Sequence, residues 1–109
     1  MSMPVVRISI LRCEPEQFAE LRRMMVASQS VLAPGIEQMK GCLGFFVGAD
    51  EATSSLTNTS LWETMQDAQQ LDRFQPMLDL GKEFVAKGAI FERPIMNYTT
   101  LWQIGSGVR

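Results

Sequence analysis

The chain predicts an α+β fold built on a four-stranded antiparallel sheet, and two patterns within its 109 residues carry that expectation. Three stretches alternate side chains with a period of two, and a fourth is apolar throughout. Between them lie two stretches whose apolar residues recur every three to four positions, the spacing of a half-buried helix. The resulting order is β-α-β-β-α-β. One domain over residues 1–109 accounts for it, with a core over about residues 5–104 and a loose tail over 105–109.

Val5 to Arg12 places Val6, Ile8 and Ile10 on one face and Val5, Arg7, Ser9 and Leu11 on the other, and its β-branched residues favour a strand. Pro15 suits a first helical turn, and Glu14 and Glu16 sit beside the positive end of that helix. Phe18, Leu21, Met25 and Leu32 then define one amphipathic helix, which Pro34-Gly35 is expected to break. A short helical turn from Ile36 to Met39, closed by Gly41, follows. Cys42 to Val47 carries no charge, which predicts a strand covered on both faces. Gly48 to Ser55 reads as a hairpin loop. Leu56 to Glu63 is the third strand, with Leu56, Asn58, Ser60 and Trp62 on one face. Met65, Ala68, Leu71, Phe74 and Leu78 form a second helical stripe, interrupted at Pro76, and a further helical segment ends at Gly88. Pro94 to Ile104 closes the pattern as a last strand, with Met96, Tyr98, Thr100, Trp102 and Ile104 on one side.

This is the ferredoxin-like order, in which helices cover one face of the sheet only. The other face is expected to carry Val5, Leu11, Leu61 and Leu101, a patch too apolar to leave in water. A homodimer closed through its sheet faces, with a barrel-like interior, would cover it. Cys13 and Cys42 fall at opposite ends of such a sheet and are expected to be free thiols.

Ten Lys and Arg stand against 12 Asp and Glu, with no basic run, so no nucleic-acid partner is expected. The longest uncharged apolar stretch, Gly41 to Ala49, is well short of the ~20 residues of a membrane span, so no membrane partner is expected either. Met1 to Arg7 leads straight into strand sequence without signal-peptide organisation, and a cytoplasmic location is the default. There is no histidine, which excludes zinc sites of Cys and His, a His-ligated haem, and Ser-His or Cys-His nucleophile pairs. Neither metal nor cofactor is expected. Acid–base work would fall to a carboxylate, a lysine, a tyrosine or the substrate itself.

The segment Met39-Lys-Gly-Cys-Leu-Gly-Phe-Phe46, followed by Asn58-Thr-Ser-Leu-Trp-Glu-Thr64 and then Asp67 and Ala68, resembles the antibiotic biosynthesis monooxygenase family. The resemblance spans about Val5 to Ile104 and implies a dimeric α+β barrel of ferredoxin-like subunits. That family includes cofactor-independent oxygenases of aromatic polyketides and haem-degrading enzymes. The haem degraders resemble one another in an axial histidine on the second helix, which this chain lacks. The quinone-forming oxygenases use a strand asparagine and a tryptophan four residues later, so the resemblance implies catalytic roles for Asn58 and Trp62. The family's tyrosine a few residues further on is missing, because Glu63 to Leu71 contains no phenol.

Positions i and i+4 of a strand share a face about 13 Å apart, with Ser60 between Asn58 and Trp62. Such a row suits a flat aromatic guest, the indole stacking on it and the amide polarising a carbonyl or phenolate oxygen. Arg7 and Tyr98 are further candidate substrate contacts, with Lys82 and Arg93 beside them. Each has a structural alternative: Trp62 as core, Asn58 bonded to a loop, Tyr98 and Trp102 at the dimer interface, Arg7 paired with Glu63 of a second copy. The eight methionines suit gap filling, or a deformable wall around a bulky apolar ligand. The expected function is a cofactor-independent monooxygenase acting on a small apolar or aromatic compound. The alternative is a non-catalytic ligand-binding or structural barrel.

Overall fold

The computed structural model describes residues 3–105; most of the expected tail, 106–109, lies outside them. β1 (Val5–Arg12) pairs antiparallel with β3 (Ser55–Trp62) along its whole length, from Val5 opposite Trp62 to Arg12 opposite Ser55. β2 (Cys42–Asp50) continues the sheet beyond β3 and forms its edge. On the far side of β1 the fourth column is divided: β4 (Ile90–Phe91) pairs with Leu11 and Arg12, and β5 (Met96–Thr99) with Val5 to Ile8. The order β2-β3-β1-β4, with β5 completing the last column, is the ferredoxin-like arrangement.

The last strand is therefore shorter than its alternation predicts. Leu101, Trp102 and Ile104 lie outside any strand and are 90%, 77% and 88% exposed. Alternation alone cannot hold a strand; among the described residues no neighbouring strand supplies these three with ladder bonds. The hairpin loop is also shorter than expected, since β2 runs on to Asp50 and the turn occupies only 51–54.

α1 (Pro15–Ala27) opens with the Glu14 N–H donating to Gln17 Oε1 at 3.2 Å. It ends at Ser28, six residues before the proline expected to stop it. There the Met25 carbonyl accepts from both Ser28 Oγ, at 2.6 Å, and the Ser28 N–H, at 3.2 Å. α2 (Gln29–Glu37) then carries Pro34 inside it. Pro34 and Ser30 are both exposed, so water can serve the Ser30 carbonyl that the proline leaves without a donor.

α3 (Met65–Ala68) begins where Thr64 Oγ1 accepts from the Asp67 N–H at 3.0 Å. A 3₁₀ turn (Gln69–Arg73) follows, and Phe74 is extended ahead of α4 (Gln75–Ala86). The second stripe is thus cut at Phe74, two residues before Pro76, whose ring fits the first turn of a new helix. Leu78, assigned to the buried stripe, consequently lies outside the core. Gly41 has φ +75°, and a Cβ there would lie 2.0 Å from Asp67 Oδ2. Only glycine lets the chain entering β2 pass so close to α3.

The largest correction concerns the faces of the sheet. Val5 and Leu11 lie under the helices, not on the open side, together with Arg7 and Ser9. The register explains it: Val5, Arg7, Ser9 and Leu11 stand beside Trp62, Ser60, Asn58 and Leu56 of β3. The open face carries Val6, Ile8, Ile10 and Leu61 instead, with Met96 and Tyr98 in register from β5. β2, expected to be covered on both faces, is covered only in part: Cys42 and Phe45 pack against the core beneath the helices, whereas Phe46 is 65% exposed.

Under the helices the core falls into two clusters. One joins Leu11, Phe18, Leu21, Met25, Leu56, Phe84 and Ala89. The other joins Val5, Leu32, Ile36, Trp62, Ala68 and Leu71. Between them the sheet presents the polar strip Arg7, Ser9, Asn58 and Ser60. Polar side chains at the middle of a covered face need partners, and the site is built there.

Candidate functional site

A cavity of about 550 Å³ opens over this strip. Arg7, Ser9 and Asn58 form its floor, and Met25, Leu71, Met77, Leu80, Phe84 and Phe91 wall it. Exposed Asp72, Lys82 and Arg93 stand at its rim. The volume lies within the usual range of small-molecule sites, roughly 300–1,000 Å³. Apolar walls over a few convergent polar groups are what such sites share.

The floor follows from strand register. Arg7 and Ser9 alternate inward from β1, and Asn58 stands directly beside Ser9. Arg7 is 4% exposed, and its guanidinium donates to Asp72 Oδ1 and, at 3.3 Å, to Asn97 Oδ1. Its acidic partner is Asp72 of its own chain, whereas the structural alternative for Arg7 named a carboxylate such as Glu63 of a second copy. Burial makes that pairing necessary, because an unpaired buried guanidinium is costly. Among the described residues no side-chain hydrogen bond engages the Asn58 amide, which leaves it free toward the cavity.

The five expected site residues separate. Asn58 and Arg7 meet at the cavity. Trp62 does not line it: the indole is fully buried in the second cluster, and its Nε1–H donates to Ser60 Oγ at 2.8 Å. Ser60 is almost completely buried and committed to that bond. Tyr98 stands opposite Val6 on the open face, away from the cavity. The row from Asn58 to Trp62 is therefore divided because Leu32, Ile36, Ala68 and Leu71 close over its tryptophan end. Lys82 and Arg93 do reach the cavity, whereas Asp72 was missed. Its only sequence signal is an acidic residue directly after core residue Leu71, too common a feature to single it out.

Both thiols lie away from this site. Burial raises the pKa of Cys42, and burial together with the nearby Glu14 charge raises that of Cys13. At neutral pH both are protonated and weakly nucleophilic. Both are free cysteines at opposite ends of the sheet, as expected: Cys13 follows β1, and Cys42 is the first residue of β2. Among the described residues no cluster of three or more His, Cys, Asp or Glu could hold a metal ion, and no helix is long and apolar enough to cross a membrane.

The fold has clear relatives among solved structures. A candidate antibiotic biosynthesis monooxygenase from Deinococcus radiodurans superposes with a TM-score of 0.71 at 18% identity, over 94% of this chain and 97% of that one. A second candidate of the same kind, from Nitrosomonas europaea, gives 0.69 at 12% identity over 96% and 97%. The protein NE2512 of unknown function, also from Nitrosomonas europaea, gives 0.68 at 13% identity over 96% of both chains. No family model matches the sequence, and neither does any curated protein. The chain thus has the ferredoxin-like α+β fold of the antibiotic biosynthesis monooxygenases, as its motifs anticipate, while a fold of this kind hosts many activities.

Proposed function

We propose that the chain is a member of the antibiotic biosynthesis monooxygenase family and a cofactor-independent oxygenase of a small aromatic compound. One observation carries the reading: Asn58 and the buried guanidinium of Arg7 share the floor of an apolar cavity. A hydroaromatic ketone or hydroquinone held there would place its oxygen toward both donors. Donors fixed in an apolar site favour the enolate or phenolate form of the guest. That electron-rich anion reduces dioxygen itself: the reacting carbon keeps one oxygen atom, and the other leaves as water with the two hydrogens that carbon loses. An anthrone thus becomes a quinone without an external reductant, and the protein supplies orientation and exclusion of bulk water.

Oxygen uptake with the anthrone dithranol tests it. Asn58→Ala is expected to slow uptake by roughly 10²-fold, the usual loss when one such donor is removed. Turnover unchanged in that variant would remove the proposed site. A second reading, binding without turnover, is favoured by Trp62, whose burial and bond to Ser60 leave it unable to stack on a guest. Dithranol that raises the melting temperature yet is recovered unoxidised would select it.

The proposal includes a homodimer. Val6, Ile8, Ile10 and Leu61 with Phe46, Met96 and Tyr98 give the open sheet face an apolar surface suited to the same face of a second copy. The sheets would then pair into a barrel, each subunit keeping its own cavity beneath its helices. A cytoplasmic location fits the free thiols.

A further inference from the structure

The charges around the cavity narrow its ligand beyond an apolar aromatic. Four ionised side chains line it: Arg7, Lys82 and Arg93 are cationic, and Asp72 is the single carboxylate. Among the described residues Lys82 and Arg93 take part in no ion pair. Arg93 lies 4.9 Å from the centre of the Phe91 ring and donates to the Glu92 carbonyl at 3.1 Å, contacts that leave its charge uncompensated. The cavity mouth therefore carries a surplus of two positive charges on exposed side chains, which draw an anion in and are screened as salt rises.

The two members of the one ion pair are unequal. Arg7 is 4% exposed and fixed by strand register, so it must always hold an anion or a strong acceptor. Asp72 is 53% exposed on the 3₁₀ turn and can return to water at little cost. A carboxylate entering the cavity can thus replace Asp72 on Arg7 without stranding a buried charge. A neutral molecule cannot make that exchange, and an ammonium would meet three cations. We infer that the natural ligand is an aromatic carboxylate, whose carboxylate displaces Asp72 from Arg7 while its rings lie against Met77 and Phe84. This rests on the cavity being the ligand site, and it adds a charge that an anthrone lacks.

Calorimetric titration of the full chain with 1-naphthoate and with its neutral isostere 1-naphthamide tests the inference. Naphthoate is expected to bind at least tenfold more tightly, with affinity falling as salt rises. Asp72→Asn removes the internal competitor and is expected to tighten naphthoate severalfold while leaving naphthamide unchanged; a purely structural ion pair would give no such gain. Arg7→Met is expected to abolish the preference, and should it fail to fold, Asp72→Asn alone decides. Equal affinities, or naphthoate binding that is unchanged or weakened in Asp72→Asn, would overturn the inference. If both compounds bind equally and both are lost in Asn58→Ala, the cavity reading survives and the carboxylate does not. If neither binds, both fall.

Discussion

Replacing Trp62 with alanine is expected to destabilise the fold by about 3–5 kcal/mol, the usual loss for a large aromatic core residue. The melting temperature should drop by roughly 10–20 °C for a domain of this size. The indole is fully enclosed, and it fills the second cluster between Val5 on the sheet and Leu32, Ile36 and Leu71 on the helices. Truncation opens a cavity there and also strips Ser60 Oγ of its donor, at a position almost without water. Thermal unfolding followed by circular dichroism checks the loss. Trp62→Phe should recover most of the stability and retain ligand binding, because the ring lies outside the cavity. A Trp62→Ala protein of unaltered melting temperature that no longer bound ligand would restore the tryptophan to the site.

Placing a carboxylate at Ile8 should convert a dimer to a monomer. Ile8 stands mid-strand on the open face, between Thr59 of β3 and Met96 of β5. In sheet-to-sheet pairing each copy of Ile8→Glu would bury one unpaired charge, at about 3–5 kcal/mol apiece. The dissociation constant should rise by at least about 10³-fold. Light scattering at micromolar protein should give twice the chain mass for the parent and the chain mass for the variant. Equal masses for the two would separate this face from any assembly. The cavity lies on the opposite side, so Ile8→Glu should still bind ligand.

Much of this arrangement was legible in the residues. Period-two stretches located β1 and β3, the apolar run located β2, and helical spacing placed the layers that cover them. The faces were harder. Val6, Ile8 and Ile10 are all apolar, whereas Arg7 and Ser9 interrupt Val5 and Leu11, so hydrophobicity alone assigns the wrong side to the core. What decides the matter is register with β3: Trp62 and Leu56 draw Val5 and Leu11 beneath the helices, and Arg7 is carried inward with them. Register depends on the partner strand, which no single stretch reveals.

The site was half legible for the same reason. Asn58 is named by the resemblance and its strand row, and Arg7, Lys82 and Arg93 as polar groups near strand faces and helix ends, although alternation sets Arg7 on the open face. Trp62 and Ser60 satisfy the same alternation, yet the helices close over one end of the row and leave the other open. Helix placement is a tertiary outcome, and so is the pairing of Arg7 with Asp72, 65 residues away in sequence. Helix ends do not follow proline here: α1 closes at Ser28, six residues ahead of Pro34, and Pro34 is carried inside α2.

The most direct trial of the whole account is a crystal structure of the protein grown with dithranol in the absence of oxygen. The guest should lie between Asn58 and Arg7, with its oxygen about 3 Å from the amide, in protomers joined through the faces that carry Ile8. A cavity filled by Met77 and Phe84 with no guest inside, or a guest seated on the Ile8 face, would contradict it.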